Sequence, residues 1–146
     1  MIAVRPVQIL LVEDSPTDIE LTERALRRAK VANELHYVTD GESALRFLRN
    51  EGEFAAAQRP DLILLDLKLP GMSGLEVLAE IKADQHLRKI PVIVLTTSTA
   101  DEDVTGAYAN YVNAYVRKPI DFRELIEVVR TIESFWVSIV ILPPSP

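Results

Sequence analysis

The chain has no cysteine among its 146 residues, and it has only two histidines and one tryptophan. Without a thiol it cannot form a disulfide, a thiolate metal site or a cysteine nucleophile, which suits a reducing compartment. It also lacks an apolar run near the roughly 20 residues of a membrane span, and its first residues lack the basic-then-apolar order of a signal peptide. We therefore expect a cytoplasmic protein with no membrane contact.

Basic residues are in the minority, with 16 Lys and Arg against 22 Asp and Glu, and the net charge is −6. Because nucleic-acid binding needs clustered cations, we expect no direct binding to nucleic acid. The hydrophobic share of 48% is enough for one full core. The length suits a single domain.

Strand-like apolar runs alternate with helical patterns along the chain. The runs lie at Gln8–Val12, Leu35–Thr39, Asp61–Asp66, Val92–Thr96 and Ala114–Arg117. The first and third are continuously apolar over Ile9–Val12 and Leu62–Leu65, as is typical of parallel strands covered on both faces. The alternation predicts an α/β fold, a flavodoxin-like (βα)5 doubly wound parallel sheet with strand order 2-1-3-4-5. Ser15, Pro16 and Asp18 predict that the first helix begins with a capping box.

Two parts of the chain are expected. Residues 1–136 form the α/β domain, and residues 137–146 form an apolar, β-branched extension that ends in prolines. This plan leaves no room for a separate output domain.

Polar residues follow the predicted strands at their carboxyl ends, where this fold binds ligands. They are Glu13, Asp14, Asp66, Thr96 and Lys118. Three clustered acids repel one another unless a cation lies among them, and Mg²⁺ prefers such oxygen ligands. Asp66 could act as a nucleophile, while Lys118 could neutralise phosphoryl oxygens. The pattern predicts metal-assisted phosphoryl transfer to a carboxylate.

These residues, together with Pro70, Gly74, Tyr115 and Pro119, resemble the receiver domain of two-component response regulators over about residues 7–132. The resemblance implies that Asp66 accepts a phosphoryl group from a sensor histidine kinase. It implies that Asp14 and Asp66 bind Mg²⁺ through their side chains, Lys68 through its backbone carbonyl, and Glu13 through water.

The resemblance also implies catalytic roles for Lys118 and Thr96, a switch formed by Thr96 and Tyr115, and a cis bond before Pro119. Three further features resemble the small response regulators paired with bacterial phytochromes. They are the long link Glu51–Pro60, the run Leu95–Ser98, and the ending with Phe135–Trp136 and Leu142–Pro143. A bacteriophytochrome kinase is then the expected partner of a single-domain regulator. Its output is a contact with a target protein, a relay of the phosphoryl group, or service as a phosphate sink, and the sequence does not choose among them.

The apolar tail would be costly if it were left in water. We expect it to pack on a second copy of the chain in a two-fold homodimer. The expected interface residues are Tyr108, Tyr111, Phe135, Trp136, Ile139 and Ile141. The alternative is a tail that folds back on its own domain.

Other functions remain open from the residues alone. An aspartyl-phosphate-forming phosphatase or phosphotransferase would use the same nucleophile, but Lys68 occupies the position where such enzymes usually carry a second Asp. A flavodoxin-like cofactor binder would need a phosphate-binding loop where Glu13 and Asp14 place negative charge. A receiver-like module that no longer accepts phosphate would need to have lost key residues. We expect no enzyme activity beyond the protein's own phosphotransfer and dephosphorylation.

Overall fold

The computed structural model describes residues 6–28, 32–97, 112, 114–118, 121 and 123–128, except for the side chain of Thr96. These residues form five strands: β1 (Val7–Val12), β2 (Asn33–Val38), β3 (Leu62–Asp66), β4 (Val92–Thr96) and β5 (Ala114–Arg117). They form one parallel sheet in the order β2-β1-β3-β4-β5, which confirms the predicted fold. The helices are α1 (Pro16–Arg28), α2 (Gly41–Leu48) and α3 (Gly74–Ala83), and residues 123–128 are also helical.

Two apolar layers cover the sheet. Alternate strand residues such as Leu10 and Ile63 pack with α2 and α3 on one face. Their neighbours Ile9 and Leu62 pack on the other face with α1 and with Leu125 of the helical stretch 123–128. Central strands read as continuous apolar runs because both of their faces are buried.

The helices begin at side-chain caps. The Ser73 hydroxyl accepts from the Glu76 backbone N–H at 3.2 Å, and the Asp40 carboxylate accepts from the Ser43 N–H at 2.7 Å. Such caps satisfy donors that the first helical turn leaves unpaired. Helix α3 buries its apolar positions Val77, Leu78 and Ile81.

Strand β2 is the element whose predicted bounds are least accurate, since it starts at Asn33 rather than Leu35 and ends at Val38 rather than Thr39. It pairs only with β1 in the described sheet, and Val38 is its only buried residue. Polar residues are tolerated on such an edge strand, so the hydrophobic pattern marks its start poorly.

The link Glu51–Pro60 is folded in its first half. It contains a 3₁₀ turn at Gly52–Phe54. Asn50 has a positive φ of 55°, and its side-chain amide donates to the Ala57 carbonyl at 2.7 Å. The Phe54 ring lies 5.4 Å from the ring of Phe47 on α2. The link is therefore held by Asn50, which follows α2, and by the packing of Phe54 on α2.

Several predictions fall outside the described residues. They concern the cis bond before Pro119, the extension 137–146, and the interface residues Tyr108, Tyr111, Phe135, Trp136, Ile139 and Ile141. Among the described helices, no helix is both long enough and apolar enough to span a bilayer.

Candidate functional site

The first two acids follow β1 directly. The backbone N–H of Glu13 still donates to the Val38 carbonyl, at 3.1 Å, so the start of the loop is held by the sheet. The Glu13 side chain is almost fully buried, whereas Asp14 is exposed. The Ser15 N–H donates to Glu13 Oε1 at 3.1 Å, which fixes the carboxylate at the entrance of α1.

The third acid, Asp66, is the last residue of β3 and is buried. Its Oδ1 accepts a hydrogen bond from the Lys68 backbone N–H at 3.3 Å. One carboxylate oxygen from each of Glu13, Asp14 and Asp66 lies within 4.8 Å of the others. The structure therefore brings together the three acids that the sequence places at two strand ends.

Lys118 follows β5 and reaches across the same edge of the sheet. Its Nζ donates to Glu13 Oε2, lies 2.9 Å from Asp18 Oδ2, and lies 3.5 Å from Asp66 Oδ2. The lysine side chain is only 6% exposed. One ammonium group thus contacts three carboxylates, including the predicted phosphoacceptor.

Asp18 is a site residue that the sequence analysis missed. The capping box is only half formed, because the Asp18 N–H donates to Ser15 Oγ at 3.3 Å while the Ser15 N–H bonds to Glu13. The Asp18 carboxylate, expected to bond back to Ser15, instead contacts Lys118. The available signal was an acid in the first turn of a helix that begins at the site.

Burial and charge set the protonation of this cluster. Burial raises the pKa of Glu13 to about 7, and the nearby Asp66 charge adds to the rise against the opposing hydrogen bonds from Lys118 and Ser15. Burial opposes the charge of Lys118, but its hydrogen bonds to Glu13 and Asp18 outweigh that and raise the pKa of the lysine. Lys118 is therefore the fixed cation of the site.

The acid cluster fits a hard divalent cation. Its three carboxylates offer only oxygen, the donor type that Mg²⁺ and Mn²⁺ prefer. Asp14 is exposed, so water can complete a coordination shell on that side. Of the predicted metal ligands, Glu13, Asp14 and Asp66 lie together, and Lys68 lies beside them on the following loop.

Gly74 explains how α3 can begin so close to Asp66. Its N–H donates to the Leu67 carbonyl at 2.9 Å. A Cβ at this position would lie 2.2 Å from the Asp66 carbonyl oxygen and 2.5 Å from Leu67 Cα. Both neighbours are backbone atoms, so a side chain here would displace the strand end that carries Asp66.

The structure describes the backbone of Thr96 and the whole of Tyr115, the two residues of the predicted switch. Thr96 ends β4, one residue beyond the position that pairs with Asp66, and its own partner in β5 is Arg117. Tyr115 is half-buried and packs on the core layer beside α2 and α3. The switch itself stays a prediction.

Comparisons with known proteins agree with this geometry. Residues 9–130 match the family described as response regulator receiver domain. The chain is 46% identical over 140 residues to the response regulator Rcp1 of Synechocystis sp., covering 96% of this chain and 95% of Rcp1.

Solved structures give the same result. The chain resembles the phosphorylated cyanobacterial phytochrome response regulator RcpA with a TM-score of 0.80 and 48% identity, over 92% of this chain and 96% of that one. It resembles a Mn²⁺-bound form of Rcp1 with a TM-score of 0.79 and 46% identity, over 90% of this chain and 94% of that one.

Proposed function

Because the chain belongs to the response regulator receiver domain family, we propose that it accepts a phosphoryl group on Asp66 from a sensor histidine kinase. The observation that carries the proposal is the position of Lys118, whose Nζ lies 3.5 Å from Asp66 Oδ2 beside a cluster of three carboxylates. A carboxylate nucleophile, a fixed cation and a candidate metal cluster are the parts that phosphoryl transfer to an acid needs.

The transfer is a single displacement at phosphorus. An Asp66 carboxylate oxygen forms the new O–P bond as the N–P bond to a kinase histidine breaks, and the imidazole nitrogen keeps the electron pair. Lys118 is close enough to Asp66 to contact the phosphoryl oxygens as they arrive. Bound Mg²⁺ would supply positive charge against the carboxylates and the phosphoryl oxygens. The residues that would hold it are Glu13, Asp14, Asp66 and the Lys68 carbonyl.

A phytochrome-type kinase is the partner we propose. RcpA is a cyanobacterial phytochrome response regulator, and it matches nearly the whole chain. The output follows from a shift between two pre-existing states, in which Thr96 and Tyr115 respond to the phosphoryl group and alter the surface offered to a downstream protein. The homodimer, its interface residues and a cytoplasmic location belong to the same proposal.

Turnover of small phosphorylated substrates is the less favoured function. The residue two positions after Asp66 is Lys68, which is exposed and whose backbone N–H, rather than an acidic side chain, faces Asp66. An amine at that position does not replace the carboxylic acid that such enzymes use as a general acid. Receiver-family relatives are signalling proteins, and we propose that any dephosphorylation acts on the protein's own Asp66.

Labelling with a phosphorylated phytochrome kinase, and separately with acetyl phosphate, tests the proposal. Wild-type protein with Mg²⁺ should become labelled, and chelation of the metal should prevent it. Asp66→Asn should abolish labelling, whereas Asp61→Asn, at the other end of β3, serves as the matched control and should retain it. Label that persists in Asp66→Asn at the wild-type rate would falsify the assignment.

A further inference from the structure

Gly41, the first residue of α2, lies against two neighbours that leave no room for a side chain. A Cβ built on it would lie 2.5 Å from Val77 Cγ2 on α3 and 3.1 Å from the Met72 carbonyl oxygen. Gly41 does not have a positive φ in this structure. The need for glycine here is therefore the close approach of other atoms rather than backbone conformation.

Met72 belongs to the loop 67–73, which joins β3 to α3 and contains Lys68. At its base this loop is closed by the hydrogen bond from the Gly74 N–H to the Leu67 carbonyl, at 2.9 Å. The chain turns at Gly71, whose φ is +71°, and Met72 then packs on the core layer. The loop therefore has two anchors, one at its base and one where Met72 contacts Gly41.

Lys68 lies between those two anchors. Its N–H donates to Asp66 Oδ1 at 3.3 Å, so the loop backbone contacts the acceptor carboxylate directly. If the loop shifts at Met72, its base cannot move with it. Gly74 and Leu67 are hydrogen-bonded to each other and packed against the end of β3. The displacement must be taken up by the residues between, which include Lys68.

We propose that Gly41 is a positioning residue for the phosphoryl-acceptor site, through its contacts with Met72 and Val77. Because Gly41 has no side chain, α2 can approach the loop closely and hold it so that the Lys68 backbone faces Asp66. The expected effect of Gly41 on Mg²⁺ binding rests on the proposed function. Its expected effect on the loop rests on the geometry alone.

A methyl group at Gly41 would displace its neighbours, because the packing around it leaves no free space. Val77 is fully buried, and a β-branched side chain in a helix has little freedom to rotate away. The Met72 contact is with a backbone carbonyl, which can move only with the loop. Gly41→Ala should therefore displace the loop even if the protein stays folded.

The test compares Gly41→Ala with Gly52→Ala in the full-length protein. Gly52 has a φ of +57° and no atom within 4 Å of a built Cβ, so its substitution strains the backbone without touching the site. Hydrogen exchange of the backbone amides of Lys68, Leu69, Gly71 and Met72 is measured without metal, and Mg²⁺ affinity is measured by NMR titration. Gly41→Ala should speed exchange in the loop and weaken Mg²⁺ binding roughly tenfold, as loss of a supporting contact does at other metal sites. Gly52→Ala should change neither.

Two further variants keep the result interpretable. Val77→Ala removes the nearer obstacle, so the double variant Gly41→Ala with Val77→Ala should recover most of the lost Mg²⁺ affinity. If Gly41→Ala does not fold, Met72→Ala removes the side chain that anchors the loop and should weaken Mg²⁺ binding in a folded protein. Unchanged loop exchange in both Gly41→Ala and Met72→Ala, or an equal loss of affinity in Gly52→Ala, would overturn the proposal.

Failure of the proposed function gives a different result. In that case wild-type protein itself would fail to bind Mg²⁺ or to be labelled at Asp66. The exchange measurement needs neither metal nor phosphodonor, so it still decides whether Gly41 positions the loop.

Discussion

Lys118 donates a hydrogen bond to Glu13 across 105 positions of sequence, and both side chains are almost completely withdrawn from solvent. The pair joins the end of β1 to the end of β5. A buried ion pair costs desolvation on both sides, so it is not by itself a source of stability. Here it supplies the positive charge among acids that would otherwise repel one another.

Replacing Lys118 should show that its positive charge offsets the repulsion among the acids. Lys118→Met leaves the acid cluster buried without a counter-charge, and we expect it to lower the free energy of unfolding by about 3 kcal/mol. Mg²⁺ should restore more stability to Lys118→Met than to wild-type protein, because the cation takes over the neutralising role. Urea unfolding with and without Mg²⁺ measures both effects.

Lys82 provides the control for this substitution. It is a partly buried lysine in the last turn of α3, at the other end of that helix from Gly74, and its Nζ donates to the Arg88 carbonyl at 3.3 Å. Lys82→Met should remove a lysine without any change in the response to Mg²⁺. Equal recovery by Mg²⁺ in the two variants would contradict the role of Lys118.

The sheet and most of the site could be predicted because their signals are local. The apolar runs of β1 and β3 report burial on both faces, and an acid directly after such a run must lie at the carboxyl edge of the sheet. Lys118 could be placed for the same reason. The start of β2 could not be placed, since Asn33 and Glu34 pair with β1 by backbone bonds that need no apolar side chain.

The missed residues depend on contacts between distant segments. Asp18 has a sufficient local explanation as a capping residue, so nothing in the sequence demands its contact with Lys118. In the sequence, nothing distinguishes Gly41 from any other glycine at the start of a helix. Its close contacts with Met72 and Val77 exist only once α2 and α3 are packed together. Patterns along one element do not report such packing.

Asp18 should hold the lysine without binding the metal. It lies outside the group of three acids whose oxygens approach one another, and its carboxylate is 2.9 Å from Lys118 Nζ. Asp18→Asn should cost about 1 kcal/mol of stability, since a partly exposed charged contact becomes a neutral one. Mg²⁺ affinity should stay within about twofold of wild type, whereas Asp14→Asn should reduce it at least tenfold. Comparable losses in both variants would place Asp18 among the ligands instead.

Mg²⁺ affinity should depend on pH through Glu13. Burial raises the pKa of Glu13 to about 7, so the metal-free protein holds a proton there at lower pH. A neighbouring cation favours the charged carboxylate, and its binding releases that proton. Affinity should therefore be full above pH 7 and fall several-fold as the pH drops through 7 to 6. Titrations across this range should show a flatter profile for Glu13→Gln, and a flat wild-type profile would refute the assignment.

Homodimer formation is predicted from the sequence of the tail. The run Val137–Leu142 is apolar and β-branched, so burial against a second copy would remove a costly surface from water. Light scattering should find a dimer for the full chain and a shift toward monomer for a chain ending at Ser134. Tyr111→Arg should weaken the dimer in the same assay. A monomeric full chain, or a truncated chain that dimerises equally well, would count against the tail.

Replacing Gly74 with alanine should destabilise the protein, although helix propensity alone predicts a gain in stability. Alanine is the better helix former, yet its Cβ would lie 2.2 Å from the Asp66 carbonyl oxygen, an atom held in the sheet by β3. We expect Gly74→Ala to lower the free energy of unfolding by roughly 3 kcal/mol, the upper range for overpacking, and to slow labelling of the folded fraction. Gly52→Ala, which meets no neighbour, should cost about 1 kcal/mol for its positive φ and leave labelling unchanged. Chemical denaturation and acetyl phosphate labelling of both variants decide the matter, and wild-type labelling by Gly74→Ala would show that the strand end tolerates the displacement.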